Sequence, residues 1–411
     1  MIYRIKRPTQ PLRDTIKLPA SKSISNRMLI LNALSYSTFP IKNLAVCDDT
    51  QVLSKALQSD RNHFDIGAAG TSMRFLTAFL SKIVGEWTIT GSKRMLQRPI
   101  GILVDALRSV GAQIDYLGEE GYPPLRIKGS ALQGGEITLQ SHVSSQYISA
   151  LLMIAPLMEK GLILHLAGNL ISRPYIALTL DLMQQMGISY TWKGNTISVV
   201  PGTYTPIPMT VESDWTAASY WYAIMALAPS EARIKLLGLY KQSTQGDAEG
   251  AHLAHQIGVG TQLMKEGAAL FHTGKQVERL DTDFTAIPDL AQTFVVLCLA
   301  KGIPFHFTGL QSLKIKETDR IAALITEARK LGYPLTEEEN GSLRWEGSKT
   351  EADPKAVIKT YDDHRMAMAF APYALVSPTG ILIDDPSVVN KSYPDFWADL
   401  RQAGFEIEEI L

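Results

Sequence analysis

Two alternating hydrophobic patterns run through the chain in phase. The first is an amphipathic helix, then a glycine, then an alternating strand. It reads LVDALRSVGAQI, LTLDLMQQMGIS, AHLAHQIGVG, IAALITEARKLGYPL and FWADLRQAGFEIE. Its glycines are Gly111, Gly187, Gly258, Gly332 and Gly404, about 76, 71, 74 and 72 residues apart. A glycine there fits a left-handed helix cap, where a Cβ is disfavoured. VLSKALQSDRNHFDIG reads as a shorter sixth copy. The second pattern is a polar start followed by a helix that is apolar nearly all round. Its copies are SKSISNRMLILNALS, GTSMRFLTAFLS, SSQYISALLMIAPL, DWTAASYWYAIMALA, IPDLAQTFVVLCLA and DDHRMAMAFAPYAL. Helices apolar on every side belong in a core, with the amphipathic set outside them.

Short strand segments such as WTITGS, GEITLQS, LILHLAG, PFHFTG and GILIDDP lie between the helices. Six such units of about 70 residues are too large for a thin solenoid. They predict a mixed α/β (α+β) fold of two pseudo-symmetric lobes with three repeats each. The midpoint falls near Val211, after the Pro/Thr-rich stretch PGTYTPIPMT.

Composition narrows the function. The 411 residues are 45% hydrophobic and 20% charged, with 40 Lys+Arg against 41 Asp+Glu. The overall basic footprint of a nucleic-acid binder is absent. Apolar runs such as 151–158 and 294–300 fall far short of the ~20 residues that span a bilayer, so no membrane partner is expected. The charged N-terminal stretch is not expected to be a secretory signal. Cys47 and Cys298 fit reduced thiols in a cytoplasmic protein. The eight histidines show no paired ligand spacing, and no metal is expected. Neither a P-loop nor a Gly-x-Gly-x-x-Gly run occurs.

The candidate chemistry lies at the starts of the apolar helices. Lys22, Ser23 and Arg27 open the first, Gly70, Thr71 and Arg74 the second, and Ser144, Ser145 and Gln146 the third. Asp289 opens the fifth, and Asp363, His364 and Arg365 the sixth. Helix N-termini carry unpaired N–H groups and partial positive charge, which suits anions. Arg98, Lys316, Arg320 and Lys391 add full charges, and Glu317 lies between Lys316 and Arg320. Converging starts of this kind would make a pocket for a highly anionic small molecule. Each taken singly also reads as an ordinary N-cap or surface ion pair. The recurrence in phase favours the pocket.

At these positions the sequence resembles the 5-enolpyruvylshikimate-3-phosphate synthase family. The matching runs are LPASKSISNR, GAAGTSMRFLTA, QRPIGILVDALRSVGA, VSSQYISALLMIAPL, ISRPYIALTLDLM, SDWTAASYW, IKETDRIAAL, YDDHRMAMAFA and NKSYPDFW. The resemblance implies two pseudo-threefold lobes of buried parallel helices and sheets, an inside-out α/β barrel type, joined by two crossovers. The expected lobes are 15–212, and 1–14 with 213–411. It implies a monomer that uses no cofactor and transfers enolpyruvyl from phosphoenolpyruvate to the 5-hydroxyl of shikimate 3-phosphate, in the pathway to chorismate and aromatic amino acids.

The resemblance further implies that Ser23, Arg27, Ser144, Ser145, Ser172, Tyr175, Asp289, Ser312 and Lys316 hold shikimate 3-phosphate. Gly70, Arg98, Arg320, Arg365 and Lys391 would hold phosphoenolpyruvate, with Lys22 and Gln146 touching both. Asp289 is expected to take the hydroxyl proton, and Glu317 and Lys22 to serve the methylene carbon. Four positions depart from the family pattern: Ala68, Ser312 and Asp362 where Asn is common, and Phe75 where Pro is common. Retention of Gly70 implies that the herbicide glyphosate inhibits the protein. The sibling enolpyruvyl transferases that act on a UDP-sugar generally carry a reactive Cys in the loop matching GSKRMLQRP, and this loop has none. A non-catalytic phosphometabolite binder on the same scaffold would not need Lys22, Asp289 and Glu317 together.

Overall fold

A computed structural model describes residues 1–140, 144–168 and 170–410, the side chain of Asn340 apart. Val143 of the VSSQYIS run therefore lies outside the described residues. The chain forms two compact units. One is Ser21–Val211, and the other joins Met1–Ala20 to Glu212–Leu411. Residues 15–20, grouped by sequence with the first lobe, belong to the unit built from the C-terminal half. The reason is strand Arg13–Lys17, which pairs in parallel with Arg233–Leu237.

One supersecondary unit recurs. In the unit Ser21–Val211, strand His63–Asp65 pairs in parallel with Gly85–Thr90. Two antiparallel pairings then add Leu125–Gly129 and Gln113–Tyr116. Gly135–Gln140, Leu162–Ala167, Thr196–Val199 and Tyr190–Lys193 repeat the scheme. A two-stranded parallel sheet pairs Ile41–Lys42 with Met209–Thr210. The other unit holds three four-stranded sheets, each with one parallel and two antiparallel pairings.

A parallel pair needs a crossover, usually a helix. Here the crossovers are the apolar helices. Gly70–Lys82 follows strand His63–Asp65, and Ser145–Ile154 follows Gly135–Gln140. Ala291–Lys301 follows Leu280–Asp283, and His364–Phe370 follows Val357–Ile358. Each of these helices thus starts beyond the carboxyl end of a strand, where open α/β sheets bind ligands. Burial agrees with the pattern. Trp215–Leu227 is buried from Ala217 to Ala226 without a break, whereas Arg320–Lys330 buries Ile321, Ala323, Leu324, Glu327 and Ala328. The latter is a one-sided stripe.

The five repeat glycines all adopt positive φ, from +84° at Gly332 to +106° at Gly111. At Gly111 the residue behind it closes the turn, as the Ala112 N–H donates to the Leu107 carbonyl at 2.9 Å. Among the described residues no helix is long and apolar enough to cross a membrane.

The start of the returning segment is tied down by one buried carboxylate. Glu212 is 4% exposed. Its Oε1 accepts from Trp215 Nε1 at 2.9 Å and the Tyr240 N–H at 2.8 Å. Its Oε2 accepts from Ser243 Oγ at 2.7 Å and Gln245 Nε2 at 2.9 Å. Truncating it removes the acceptor of Trp215, Tyr240 and Ser243 and leaves Gln245 Nε2 only the Ser213 carbonyl, and hydrogen bonds to charged groups are the stronger kind. Glu212→Ala is therefore expected to destabilise this unit by about 3 kcal/mol or more, read as a lower urea midpoint. An unchanged midpoint would contradict the network's role.

Candidate active site

In the unit Ser21–Val211 four helix starts are cross-linked. Helix Lys22–Leu34 is capped by Ser21, whose hydroxyl accepts from the Ile24 N–H at 3.4 Å. Lys22 Nζ lies 3.2 Å from Asp49 Oδ2. Asp49 is buried in the first turn of helix Asp48–Leu57, and its carbonyl accepts from Ser72 Oγ at 3.1 Å. Helix Ser145–Ile154 is capped by Ser144, which accepts from the Gln146 N–H. Gln146 Nε2 then donates to Thr71 Oγ1 at 3.1 Å, joining that start to helix Gly70–Lys82. Ser145 and Ser23 lie half-buried in the first turns. Ser172 precedes helix Arg173–Gln185 at φ +56°, a left-handed backbone that non-glycine residues adopt mainly at special sites.

Arg27, expected at the substrate, is also held by protein acceptors. Its Nε donates to Thr179 Oγ1 at 2.7 Å and its Nη1 to the Ser23 carbonyl at 2.9 Å. Its Nη2 serves Ser149 Oγ at 3.1 Å and the Tyr175 carbonyl at 3.2 Å. The guanidinium sits 5.4 Å from the Phe75 ring centroid. Burial lowers its pKa to about 10. Arg27 thus binds helix starts to one another, and only one of its five N–H groups remains for a ligand.

Arg98 is the opposite case. It is 8% exposed, and its guanidinium has no hydrogen bond or ion pair among the described residues. It lies against Gly70, where an added Cβ would stand 2.6 Å from Nη1 and 2.9 Å from Nη2. Helix Gly70–Lys82 starts there without a side-chain cap, so its first-turn N–H groups and the guanidinium share one spot. Arg74 fixes that spot. Its Nη1 donates to the Gly70 carbonyl at 3.0 Å and its Nη2 to the Pro99 carbonyl at 3.4 Å. A buried guanidinium without a counter-ion is costly, and an anion relieves it.

The other unit gathers cations and carboxylates into one network. Asp289 stands in the turn before helix Ala291–Lys301. Its carboxylate pairs with Arg320 Nη1 at 3.1 Å and Arg365 Nη2 at 2.8 Å, with Lys316 Nζ at 4.0 Å. Glu317 pairs with Arg320 Nη2 at 2.9 Å and Lys391 Nζ at 3.2 Å. Asp363 caps helix His364–Phe370 through the Arg365 N–H and accepts from Arg320 Nε at 2.6 Å. Burial pushes the Lys316 pKa down, against the pull of Asp289. The hydroxyl of Ser312 is buried and makes no hydrogen bond among the described residues. No cluster of His, Cys, Asp or Glu placed to hold a metal ion occurs among them either.

The EPSP synthase (3-phosphoshikimate 1-carboxyvinyltransferase) family model matches residues 6–59 and 53–400. A 3-phosphoshikimate 1-carboxyvinyltransferase of Bacteroides fragilis (strain YCH46) is 57% identical over 409 residues, 99% of both chains. That of Photobacterium damsela subsp. piscicida is 37% identical, over 96% of this chain and 98% of its own. The chain belongs to the EPSP synthase family. Its fold agrees, since a solved EPSP synthase of Acinetobacter baumannii superposes with TM-score 0.79 at 21% identity, covering 99% of this chain and 100% of that one.

Within this EPSP synthase fold, two acidic residues escaped the sequence reading. Asp49 sits where any helix welcomes an acid, so nothing in CDDTQVL distinguishes it. Asp247, in the short 3-10 turn Gly246–Glu249, is buried and accepts from Thr216 Oγ1, in the first turn of helix Trp215–Leu227. Burial, and next the charge of Asp289, pushes its carboxyl up to about 6; Thr216 and Arg365 pull the other way, and Asp214 adds to the rise.

The sign of the linkage follows. The unfolded chain releases this proton near pH 4, while the folded chain keeps it to about 6. Stability from this group is present below pH 4 and is lost as pH rises to 6. Between pH 5 and pH 8, the urea-derived stability of Asp247→Asn relative to wild type is expected to improve by about 1 kcal/mol. A difference that stays flat across that range would return Asp247 to the ordinary carboxylate range.

Proposed function

We infer that this chain transfers the enolpyruvyl group of phosphoenolpyruvate to the 5-hydroxyl of shikimate 3-phosphate, giving 5-enolpyruvylshikimate 3-phosphate and inorganic phosphate. The observation that carries the reading is Arg98, a largely buried side chain without a counter-ion among the described residues, over the uncapped start of helix Gly70–Lys82. Such a spot calls for an anion, and both substrates are phosphorylated carboxylates.

Each unit is read as a pseudo-threefold lobe of the inside-out barrel type, which the three sheets in each support. Phosphoenolpyruvate is assigned to Gly70, Arg98, Arg320, Arg365 and Lys391. Shikimate 3-phosphate is assigned to Ser23, Ser144, Ser145, Ser172, Tyr175, Asp289, Ser312 and Lys316, with Arg27 holding Ser23 in place. Lys22 and Gln146 serve both. The protein is read as a cytoplasmic monomer that needs no metal or organic cofactor and engages neither nucleic acid nor membrane.

The chemistry needs one group to take the hydroxyl proton and others to deliver and retrieve a proton at the methylene carbon. Protonating that carbon leaves its neighbour electron-poor. The 5-hydroxyl adds there and gives a tetrahedral intermediate, and loss of a methyl proton with phosphate completes the exchange. Asp289 is assigned the hydroxyl proton, and Glu317 and Lys22 the carbon-bound one. Both carboxylates keep a small exposed edge, 19% for the Asp289 side chain and 14% for Glu317. Both are braced by cations that also suit the anionic substrate. When phosphate and carboxylate groups engage Arg320 and Arg365, Asp289 shares those two cations with the substrate, which favours its taking a proton.

The test is phosphate release by the purified protein with phosphoenolpyruvate and shikimate 3-phosphate together, against either alone. Release only with both is expected, and binding without release would refute the enzymatic reading. Asp289→Asn should lower kcat by about 10²–10⁴-fold without raising the KM for phosphoenolpyruvate. Near-normal kcat would remove its assigned role. Gly70→Ala places a methyl against Arg98 and should raise the KM for phosphoenolpyruvate about tenfold or more, with that for shikimate 3-phosphate within about twofold. Equal changes in both constants would contradict the assignment of Gly70.

A further inference from the structure

We propose that Asp363 is a positioning residue that holds Arg320, and with it the start of the Arg365 helix, in the geometry that receives phosphoenolpyruvate. The proposal rests on the substrate reading above and extends it to a residue outside the substrate-binding set.

Arg320 is 2% exposed and Asp363 fully buried. Asp289 and Glu317 each keep an exposed edge, so Asp363 is the one partner of Arg320 among these carboxylates that no solute reaches. It grips the Nε edge of the guanidinium. The Nε–H donates to Asp363 Oδ2 at 2.6 Å and Nη2 reaches Asp363 Oδ1 at 3.5 Å, while Nη1 extends to Asp289 and the second N–H of Nη2 to Glu317. The same carboxylate accepts the Arg365 backbone N–H at 2.9 Å. One acid thereby sets two arginines, the first through its side chain and the second through its helix. Burial acts to lower the pKa of Arg320, yet Asp363 first, then Glu317 and Asp289, hold it above the ordinary arginine value.

The backbone ahead of Asp363 is built to deliver it. Tyr361 and Asp362 both take left-handed φ, +55° each. Two such residues in succession, neither of them glycine, are strained and persist only where the surroundings fix them. The fixing contact is the Tyr361 hydroxyl, which donates to Glu327 Oε1 at 2.6 Å. Glu327 is fully buried, and its Oε2 accepts from Lys330 Nζ at 2.6 Å and the Lys359 N–H at 3.0 Å. Arg320 and Glu327 share the helix Arg320–Lys330. That helix therefore anchors the turn at one point along its length and receives its carboxylate at its first residue.

Asp363→Asn separates the possible roles. Asparagine caps helices as well as aspartate does, so the Arg365 helix keeps its start, but the charge-assisted bond to Nε becomes a neutral one of about half the strength. If Asp363 acted only as a negative charge, neutralising it would favour an anionic substrate and lower the KM for phosphoenolpyruvate. A purely structural residue would lower the melting temperature and leave the ratio of the two KM values alone. Positioning predicts a rise in the KM for phosphoenolpyruvate of about tenfold, with the KM for shikimate 3-phosphate within about twofold. Tyr361→Phe, which removes the tether and leaves Asp363 in place, should raise the same KM about threefold. Asp362→Asn, at an exposed position, should match wild type. With wild type active, an unchanged or lowered KM for phosphoenolpyruvate in both Asp363→Asn and Tyr361→Phe overturns the proposal alone. A wild type that releases no phosphate removes the substrate reading and the proposal together.

Discussion

A helix that begins beyond the carboxyl end of a buried parallel strand brings unpaired N–H groups into the interior, and something must satisfy them. That constraint organises this molecule. The recurring sheet scheme places apolar crossover helices in this position at 70, 145, 291 and 364. Their bodies are buried on every side, so residue choice is free only at their tips. The tips carry small, hydroxylic or charged residues, types that suit a helix cap or an anion. Ser144 and Asp363 cap their own helices. Gly70 does not, and an arginine lies over it instead.

The two units treat buried charge differently. In Ser21–Val211, Lys22 has Asp49 beside it, while Arg98 has no counter-ion among the described residues. In the other unit Lys316, Arg320, Arg365 and Lys391 interlock with Asp289, Glu317 and Asp363. A buried ion pair recovers little net energy after desolvation, but losing one partner is strongly destabilising. The interlocked arrangement therefore holds the cations in place in the absence of any ligand. The uncompensated one concentrates the field on whatever anion enters.

The sequence disclosed the parts of this plan that follow from period and composition. Repeats near 70 residues are visible because the helix–glycine–strand order is the same each time, and positive φ at Gly111, Gly187, Gly258, Gly332 and Gly404 explains why glycine marks it. Side-chain direction is not written in a linear pattern. Arg27 reads like a ligand because it follows Lys22 and Ser23, yet one helical turn carries it inward to Thr179 and Ser149, residues more than a hundred positions away. Asp247 lies in a polar loop with no periodic signal, and only the packing of helix Trp215–Leu227 shows that it is buried. Phe75, where the family commonly has proline, fills the space beneath the Arg27 guanidinium. The strand Arg13–Lys17 precedes the first repeat in sequence, but its hydrogen bonds go to Arg233–Leu237.

Under the proposed reaction Asp289 must both bind cations and accept a proton, and the network bears on that conflict. The Asp289 carboxylate is flanked by Arg320 at 3.1 Å and Arg365 at 2.8 Å. The same two arginines are the best partners in the unit for a phosphate or carboxylate, through their fork geometry. An anionic substrate therefore competes with Asp289 for them, and its arrival raises the basicity of Asp289 at the moment a hydroxyl proton must be accepted. The exchange needs arginines that change partners without moving far. Asp363, buried and bound to Nε and Nη2, keeps Arg320 in position whichever anion occupies Nη1 and the second N–H of Nη2. Binding and activation are then one event, because the groups that hold the substrate are the groups whose release makes the base.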